Sequence, residues 1–235
     1  MTIDVNGKPR LVVVGSSGHA SVLADAIELA ALYLIVGYLD DSVAAGTIRR
    51  GYPVLGRIDE AEAICTGQLI TAAAIAIGDN WWRRKIYRDL TKKCPNLEFP
   101  VVRHPSAVIA TSTEIGKGTA ILAGSHVGPG SRVGEFCILN TGSSIDHDCN
   151  MSPFASIAPG VFTGGLVRIG ECSAVGVGAS VSDRISIGNH SIVGTGAAVV
   201  RDIPDFVIAY GNPAKAMRSR QEGETYPARS SKDPP

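Results

Sequence analysis

The 235-residue sequence predicts an α/β domain followed by a parallel β-helix. Three observations carry this. An aliphatic residue recurs every six positions through the second half. Apolar runs alternate with helically spaced segments in the first half. The chain also has 27 glycines but only 6% aromatic residues, and a core built from small side chains points to a repeat.

In the first half, residues 11–14 form an apolar run that ends in Gly15-Ser16-Ser17-Gly18-His19. Residues 20–32 carry Val22, Leu23, Ala26, Ile27 and Ala30 at helical spacing. Residues 34–39 read as a second strand, closed by Asp40-Asp41, and 60–65 as a short helix. Residues 70–77 form a third run, ended by Gly78-Asp79-Asn80. A helix follows over 81–93, stopped before Pro95, and then a last strand over 97–102. Alternating β and α segments imply a parallel sheet with ligands at the carboxyl ends of its strands. Each strand-end loop suits that use. Glycine lets backbone N–H groups approach a phosphate or sugar, and a carboxylate after the second strand suits a ribose or sugar hydroxyl. Gly15 to Gly18 is Gly-x-x-Gly, short of the dinucleotide fingerprint, so a classical NAD site is not expected.

The repeat starts at Ile109 and runs by sixes through Ile115, Ile121, Val127 and onward to Val199. Of its 16 positions, 15 are aliphatic or Met, and Thr163 is the exception. Chance at ordinary apolar usage gives about five. Glycine follows directly in eight of the 16, and the residue four places on is always small or apolar, from Thr113 to Ile203. Two inward positions per six describe one flat strand and one corner. Three such units close a triangular coil of ~18 residues, repeated about five times. Cys137 and Cys149 fall on inward positions and read as small hydrophobes. The boundaries predicted are 1–103 for the α/β domain, 104–208 for the β-helix and 209–235 for a C-terminal segment. Within that segment, 216–220 reads as a short basic helix and 224–235 as a disordered polar tail.

Composition excludes several functions. Lys and Arg number 22 and so do Asp and Glu, a balance that argues against a nucleic-acid binder. No run approaches the ~18 apolar residues of a membrane span. Residues 1–10 lack the apolar centre of a signal peptide. Five cysteines, with no Cys-x-x-Cys, fit a reduced cytoplasmic protein better than a disulfide or zinc-thiolate scaffold.

Of five histidines, His147 stands out, set between Asp146 and Asp148. A carboxylate beside an imidazole raises its basicity and fixes its tautomer, which suits a general base. His147 is two places after rung Ile145, so it points outward. Strand neighbours face opposite ways, so one of the two aspartates should reach the ring. His126, paired with His147, could suggest a metal at a subunit interface, but a third ligand is missing and no metal is expected. His190 reads as solvated corner surface and His104 as the domain junction.

Taken in order, several motifs resemble one family. They are Gly15-x-Ser17-Gly18-His19, Asp40-Asp41, Ala76-Ile77-Gly78-Asp79-Asn80, the hexapeptide repeat, Asp146-His147-Asp148 and Gly211-Asn212-Pro213-Ala214-Lys215. Over roughly residues 10–218 they resemble the sialic acid O-acetyltransferase (NeuD) family of left-handed β-helix acyltransferases. This family includes N-acetyltransferases of nucleotide-linked 4-amino-4,6-dideoxy sugars, of the UDP-bacillosamine-pathway and GDP-perosamine types. The resemblance implies a Rossmann-like N-terminal domain, a left-handed parallel β-helix and a homotrimer that uses acetyl-CoA and a nucleotide-linked amino sugar. It implies His147 as base, Asp148 as its support and the Gly165 N–H as oxyanion donor. Val177, Thr195 and Lys215 would meet acetyl-CoA. Ser17, Gly18, His19, Asp40, Asp41 and Gly78 would meet the nucleotide sugar. Ser156 stands where many members have a second histidine, and it could hydrogen-bond a water or the CoA amide. O-acetylation of a sialic acid or other sugar hydroxyl is the alternative, and UDP, GDP and dTDP all remain open.

Overall fold

A computed structural model describes residues 7–224. In the α/β domain, β1 (Arg10–Val14), α1 (Gly18–Ala30), β2 (Leu34–Leu39), β3 (Ile48–Arg49), β4 (Tyr52–Gly56), α2 (Ala61–Gly67), β5 (Ala72–Ile75) and α3 (Asn80–Lys93) follow in order. The sheet order is β3-β4-β2-β1-β5, parallel except for β3, which is antiparallel to β4. Strand β4 carries Pro53 inside a short Tyr-Pro-Val-Leu-Gly stretch, so the sequence pattern did not mark it. It is admitted by Gly37 on β2, where a Cβ would fall 2.5 Å from the Pro53 carbonyl oxygen.

The strand expected over 97–102 is not continuous. Glu98 makes one bridge to Ala72, and Pro100, with no N–H to donate, breaks the ladder. Val102–Arg103 instead opens the β-helix by pairing with Ala120–Ile121.

The β-helix is a stack of two-residue strands on three faces. The first face carries the column Ala120, Ile138, Ser156, Ala174 and Ile192. The second carries Val108, His126, Ser144, Phe162, Ser180 and Ala198. The third carries Glu114, Arg132, Asn150, Arg168 and Ser186. The chain visits first, second and third faces in turn. Inside lies one aliphatic column system, from Ile121 and Val127 to Val193 and Val199. Small polar residues on the inward positions are buried, and most are satisfied, although the Ser143 hydroxyl finds no partner among the described residues. Ser131, Ser173 and Ser191 each donate their hydroxyl to a main-chain carbonyl of a neighbouring corner, at 2.7, 2.5 and 2.6 Å.

The α/β domain lies on the first face. Helix α1 buries Ala20, Leu23 and Ile27 with Ala120, Leu122 and Ile138. Helix α3 lies at the corner between third and first faces, where Phe136 and Phe154 stack at 5.2 Å and Tyr87 packs on Phe136 at 4.1 Å. One polar clip spans this seam. Arg83 is 1% exposed and has no carboxylate partner among the described residues. It donates to the Phe136 and Phe154 carbonyls of the β-helix at 2.9 and 3.0 Å. It also reaches the Ile77 and Gly78 carbonyls and the Asn80 side chain of its own domain.

The helix expected over 216–220 is a strand. Val207–Gly211 adds to the first face, turns through Asn212-Pro213 and pairs antiparallel with Ala214–Ser219. The open edge of the last coil outweighs the local helix preference of this short segment. Of the tail predicted as disordered, only Glu224 is among the described residues.

Candidate active site

Three groups of residues are placed by this scaffold. The first is the turn at the corner between second and third faces. Here His147 Nδ1 meets Asp148 Oδ2 at 2.8 Å, while Asp146 Oδ1 accepts the His147 backbone N–H at 2.7 Å. Asp148 adopts a left-handed conformation with φ of 55°, which aspartate tolerates. The turn is held at both ends by the coil before it: Ser131 Oγ donates to the Asp146 carbonyl at 2.7 Å and accepts the Cys149 N–H at 3.0 Å. The next coil adds Thr163, whose hydroxyl accepts the Asp146 N–H at 3.3 Å. The one non-aliphatic rung of the repeat therefore braces the loop that carries the histidine.

The hydrogen bond to Asp148 raises the His147 pKa above its ordinary value, with Asp146, Asp148 and Asp183 adding negative potential. With Nδ1 engaged, Nε2 is the atom left for chemistry. It lies against Gly165, where a Cβ would sit 2.4 Å away. The Gly165 N–H has no acceptor among the described residues. Gly165→Ala is therefore expected to displace the imidazole and lower kcat by about a hundredfold, the usual cost of a disturbed catalytic geometry. Steady-state rates beside an unchanged melting temperature check this.

The second group lines a cavity of about 850 Å³ between the α/β domain and the third-to-first corner. The strand-end loops supply Ser16, Ser17, Asp40, Asp41 and Gly78, joined by Asp79, Asn80, Trp81 and Trp82 from the start of α3. Asp79 caps that helix by accepting the Trp82 N–H at 2.9 Å. Asp40 is not a free acceptor. Burial would push its pKa up, but Ser16 and Ser42 each donate a hydroxyl and an N–H to it and hold it below the ordinary value. Asp41 is the more open carboxylate, accepting the Ile58 N–H at 3.0 Å.

Gly18 and His19 do not line the cavity. Gly18 starts α1, and His19 turns inward, its Nε2 buried without a partner. Burial, then the Arg83 charge, lowers the His19 pKa to about 4, so this ring is neutral at pH 7. His190 corrects the surface reading made from sequence. It is 9% exposed, stacks on Phe206 at 4.9 Å and lines the cavity. Burial, then Arg84, lowers its pKa. Trp81, Trp82, His190 and Arg220 are cavity residues that sequence reasoning missed.

The third group lies along the corner between first and second faces. Val177 and Thr195 occupy successive coils, tied by the Gly196 N–H to the Val177 carbonyl at 2.8 Å. Beyond them the terminal hairpin places Lys215 opposite Tyr210, exposed. Ser156 lies on the first face and makes no hydrogen bond to His147. The three groups do not converge within one chain. His147 and Val177 lie on opposite edges of the second face. The third face separates His147 from the cavity and is crossed by a groove of about 530 Å³ lined by Asp148, Arg132, Asn150, Arg168 and Asn189. Among the described residues no cluster of three or more His, Cys, Asp or Glu could hold a metal, and no helix is long and apolar enough to cross a membrane.

Comparison with known proteins places this arrangement. Residues 10–90 match the PglD N-terminal domain. The acetyltransferase domain of PglB from Neisseria gonorrhoeae FA1090, solved with acetyl coenzyme A, shares 34% identity at a TM-score of 0.83, over 90% of this chain and 100% of that one. The chain belongs to the NeuD-like family of nucleotide-amino-sugar acetyltransferases. Another member, PerB from Caulobacter crescentus, was solved with CoA and GDP-perosamine. It shares 33% identity at a TM-score of 0.84 and covers 93% of this chain and 100% of that one. GDP-perosamine N-acetyltransferase of Escherichia coli O157:H7 is 30% identical over 149 residues, 61% of this chain; the match spans 66% of that relative's length. The parallel coils and the α/β domain of this NeuD-like chain are thus shared with the PglB and PerB structures over nearly the whole chain.

Proposed function

We propose that the protein transfers an acetyl group from acetyl-CoA to the 4-amino group of a nucleotide-linked 4-amino-4,6-dideoxy sugar. The observation that carries this is the His147 turn: an imidazole with Nδ1 held by a carboxylate and Nε2 free beside an unengaged backbone N–H. PerB and the E. coli relative are named for GDP-perosamine, an amino sugar on a nucleotide, and the cavity at the strand ends offers a place for such an acceptor.

In this reading the neutral amine attacks the thioester carbonyl carbon, and the C–N bond forms as Nε2 takes the amine proton. The Gly165 N–H receives the developing oxyanion. The intermediate collapses with loss of the C–S bond, and the imidazolium returns its proton to the CoA thiolate. Asp148 stabilises the imidazolium and fixes its tautomer. No acyl-enzyme is required, because holding both substrates in place supplies much of the acceleration. Val177, Thr195 and Lys215 would follow the pantetheine arm toward its phosphates. They lie across the second face from His147, so a complete site needs a neighbouring copy. That face supports packing of copies as a homotrimer: apart from His126 its outward column is small or apolar, with Val108 and Phe162 62% and 56% exposed. The five thiols are all free, which fits a reducing, cytoplasmic setting.

The test is release of CoA thiol with UDP-, GDP- and dTDP-linked 4-amino-6-deoxy sugars, with sialic acid as control. Turnover with one amino sugar supports the reading, and turnover with sialic acid alone overturns it in favour of O-acetylation. A second expectation concerns pH. The base works only when neutral, so the rate rises as pH climbs through its raised pKa. Asp148→Asn removes the interaction that raises it, so the acid limb of kcat/KM should move to lower pH while the maximum falls. A limb that stays in place would remove Asp148 from the base.

A further inference from the structure

His147 and Gly165 sit on neighbouring coils, and buried polar side chains join them from inside the prism. Elsewhere in the repeat, a small donor on an inward position pins a corner carbonyl 15 residues further on. Ser125 does this to Asn140, Ser131 to Asp146 and Ser173 to Gly188, at 2.9, 2.7 and 2.5 Å. A trans peptide is planar, with its C=O and N–H pointing opposite ways, so a carbonyl pinned inward turns the following N–H outward. A side chain then covers that N–H. Asn140 Oδ1 does so for Thr141, Asp146 Oδ1 for His147 and Asp205 Oδ1 for Asn189, at 2.9, 2.7 and 2.7 Å.

Cys149 makes the same inward bond with a thiol. Its Sγ donates to the Gly164 carbonyl at 3.3 Å. That carbonyl and the Gly165 N–H belong to one peptide unit. Here the outward N–H stays uncovered, and the packing says why. Residue 164 is glycine, and a Cβ on it would fall 2.9 Å from the Asp183 backbone nitrogen, which leaves no room for a capping side chain. The peptide is therefore held on its inner side and open on its outer side, beside His147 Nε2. Cys149 is 3% exposed, and burial raises its pKa, so the thiol keeps the proton it donates at pH 7. Its sulfur also meets Thr163 Oγ1 at 3.7 Å, and Thr163 in turn accepts the Asp146 N–H of the turn that carries the base. We propose that Cys149 is a positioning residue for the acetyl transfer: its thiol, linked through Thr163 to the His147 turn, sets the plane of the Gly164–Gly165 peptide and aims the Gly165 N–H at the developing oxyanion. This rests on the roles of His147 and Gly165 proposed above. It adds a buried group that acts through the peptide without touching substrate.

Three variants of the 235-residue protein test this by thiol release across pH. Cys149→Ser supplies a hydroxyl, and Ser131 spans the same gap one coil earlier at 2.7 Å, so this variant should retain most of kcat. Cys149→Val installs the residue that the next coil carries in this column, the buried Val167, and Cys149→Ala leaves a smaller side chain. Neither can donate. Both should lower kcat about tenfold, less than the roughly 10²–10³-fold that outright loss of an oxyanion donor costs. The acetyl-CoA KM and the acid limb of the pH profile should stay in place, because His147 and Asp148 are untouched. Wild-type kcat in Cys149→Val and Cys149→Ala, with Gly165→Ala impaired, overturns the positioning role and leaves the oxyanion reading standing. Cys149→Ser as slow as Cys149→Val overturns the donated proton as its basis. An acid limb that moves in Cys149→Val shows that the change acts on His147 and overturns the assignment to the peptide. Gly165→Ala as fast as the wild type removes the oxyanion role of Gly165, and the proposal with it. No thiol release by the wild type overturns the acetyl-transfer reading and everything that rests on it.

Discussion

His147→Ala is expected to lower kcat by about two to four orders of magnitude, the usual worth of a positioned general base. The expectation follows from how the ring is held. Asp148 takes Nδ1, Gly165 leaves no room for a side chain at Nε2, and Ser131 and Thr163 brace the turn from the coils on either side. The side chain is half exposed, so its removal should leave the melting temperature almost unchanged. Binding of acetyl-CoA should also persist, because the corner that carries Val177 and Thr195 is remote from the substitution. Thiol-release rates, thermal unfolding and acetyl-CoA titration check the three parts. A variant that turns over within a few-fold of the wild type would take the base assignment away from His147.

Arg83→Met is expected to have the largest effect on stability. The guanidinium is fully buried and satisfied by carbonyl oxygens from both domains instead of by a carboxylate. Burial lowers its pKa to about 10, against the weaker opposing pull of Cys137, Cys172 and Asp79, which leaves it charged at pH 7. Methionine matches the stem but donates nothing, so the Phe136 and Phe154 carbonyls lose partners at a seam closed to water. A loss of about 3–5 kcal/mol is expected. For a chain of this size that lowers the unfolding midpoint by roughly 10 °C. Arg83→Lys should recover only part of it, since one ammonium cannot reach the sites of a planar fork. Differential scanning calorimetry on the three proteins measures the series. A midpoint unchanged in Arg83→Met would show that the seam is held by its aromatic residues alone.

The coils were legible in the sequence because each inward position is a separate burial event repeated at a fixed interval. The three strand-end loops were legible because glycine and aspartate punctuate a parallel sheet. Even the exception was informative in retrospect: Thr163 breaks the aliphatic column where its hydroxyl meets the Asp146 N–H. What stayed hidden depends on partners far apart in the chain. Arg84 and Glu222 are 138 residues apart, and Asn80 reaches the Ser173 carbonyl across 93. No period or motif marks such pairs. His190 looked like surface because corners of a bare coil are wet, and only the C-terminal segment and α3 make this corner interior. The terminal hairpin was misread because the edge it completes exists only once the last coil has formed.

The uninterrupted stack also behaves as a reading frame. Residues above one another differ by 18 in number, as the Ser131–Cys149 and Ser173–Ser191 contacts do. An insertion of one hexapeptide between the α/β domain and His147 would keep every rung apolar and the coil intact. It would nonetheless turn the histidine by about a third of a revolution, onto another edge of the prism relative to the cavity. Only a whole coil, added or removed, preserves the phase between domain and base. Length variation here is therefore quantised: a change of a fraction of a revolution would keep the coil but turn Phe154, Glu171 and Ser173 away from Arg83, Arg84 and Asn80, so the seam with the α/β domain could not close.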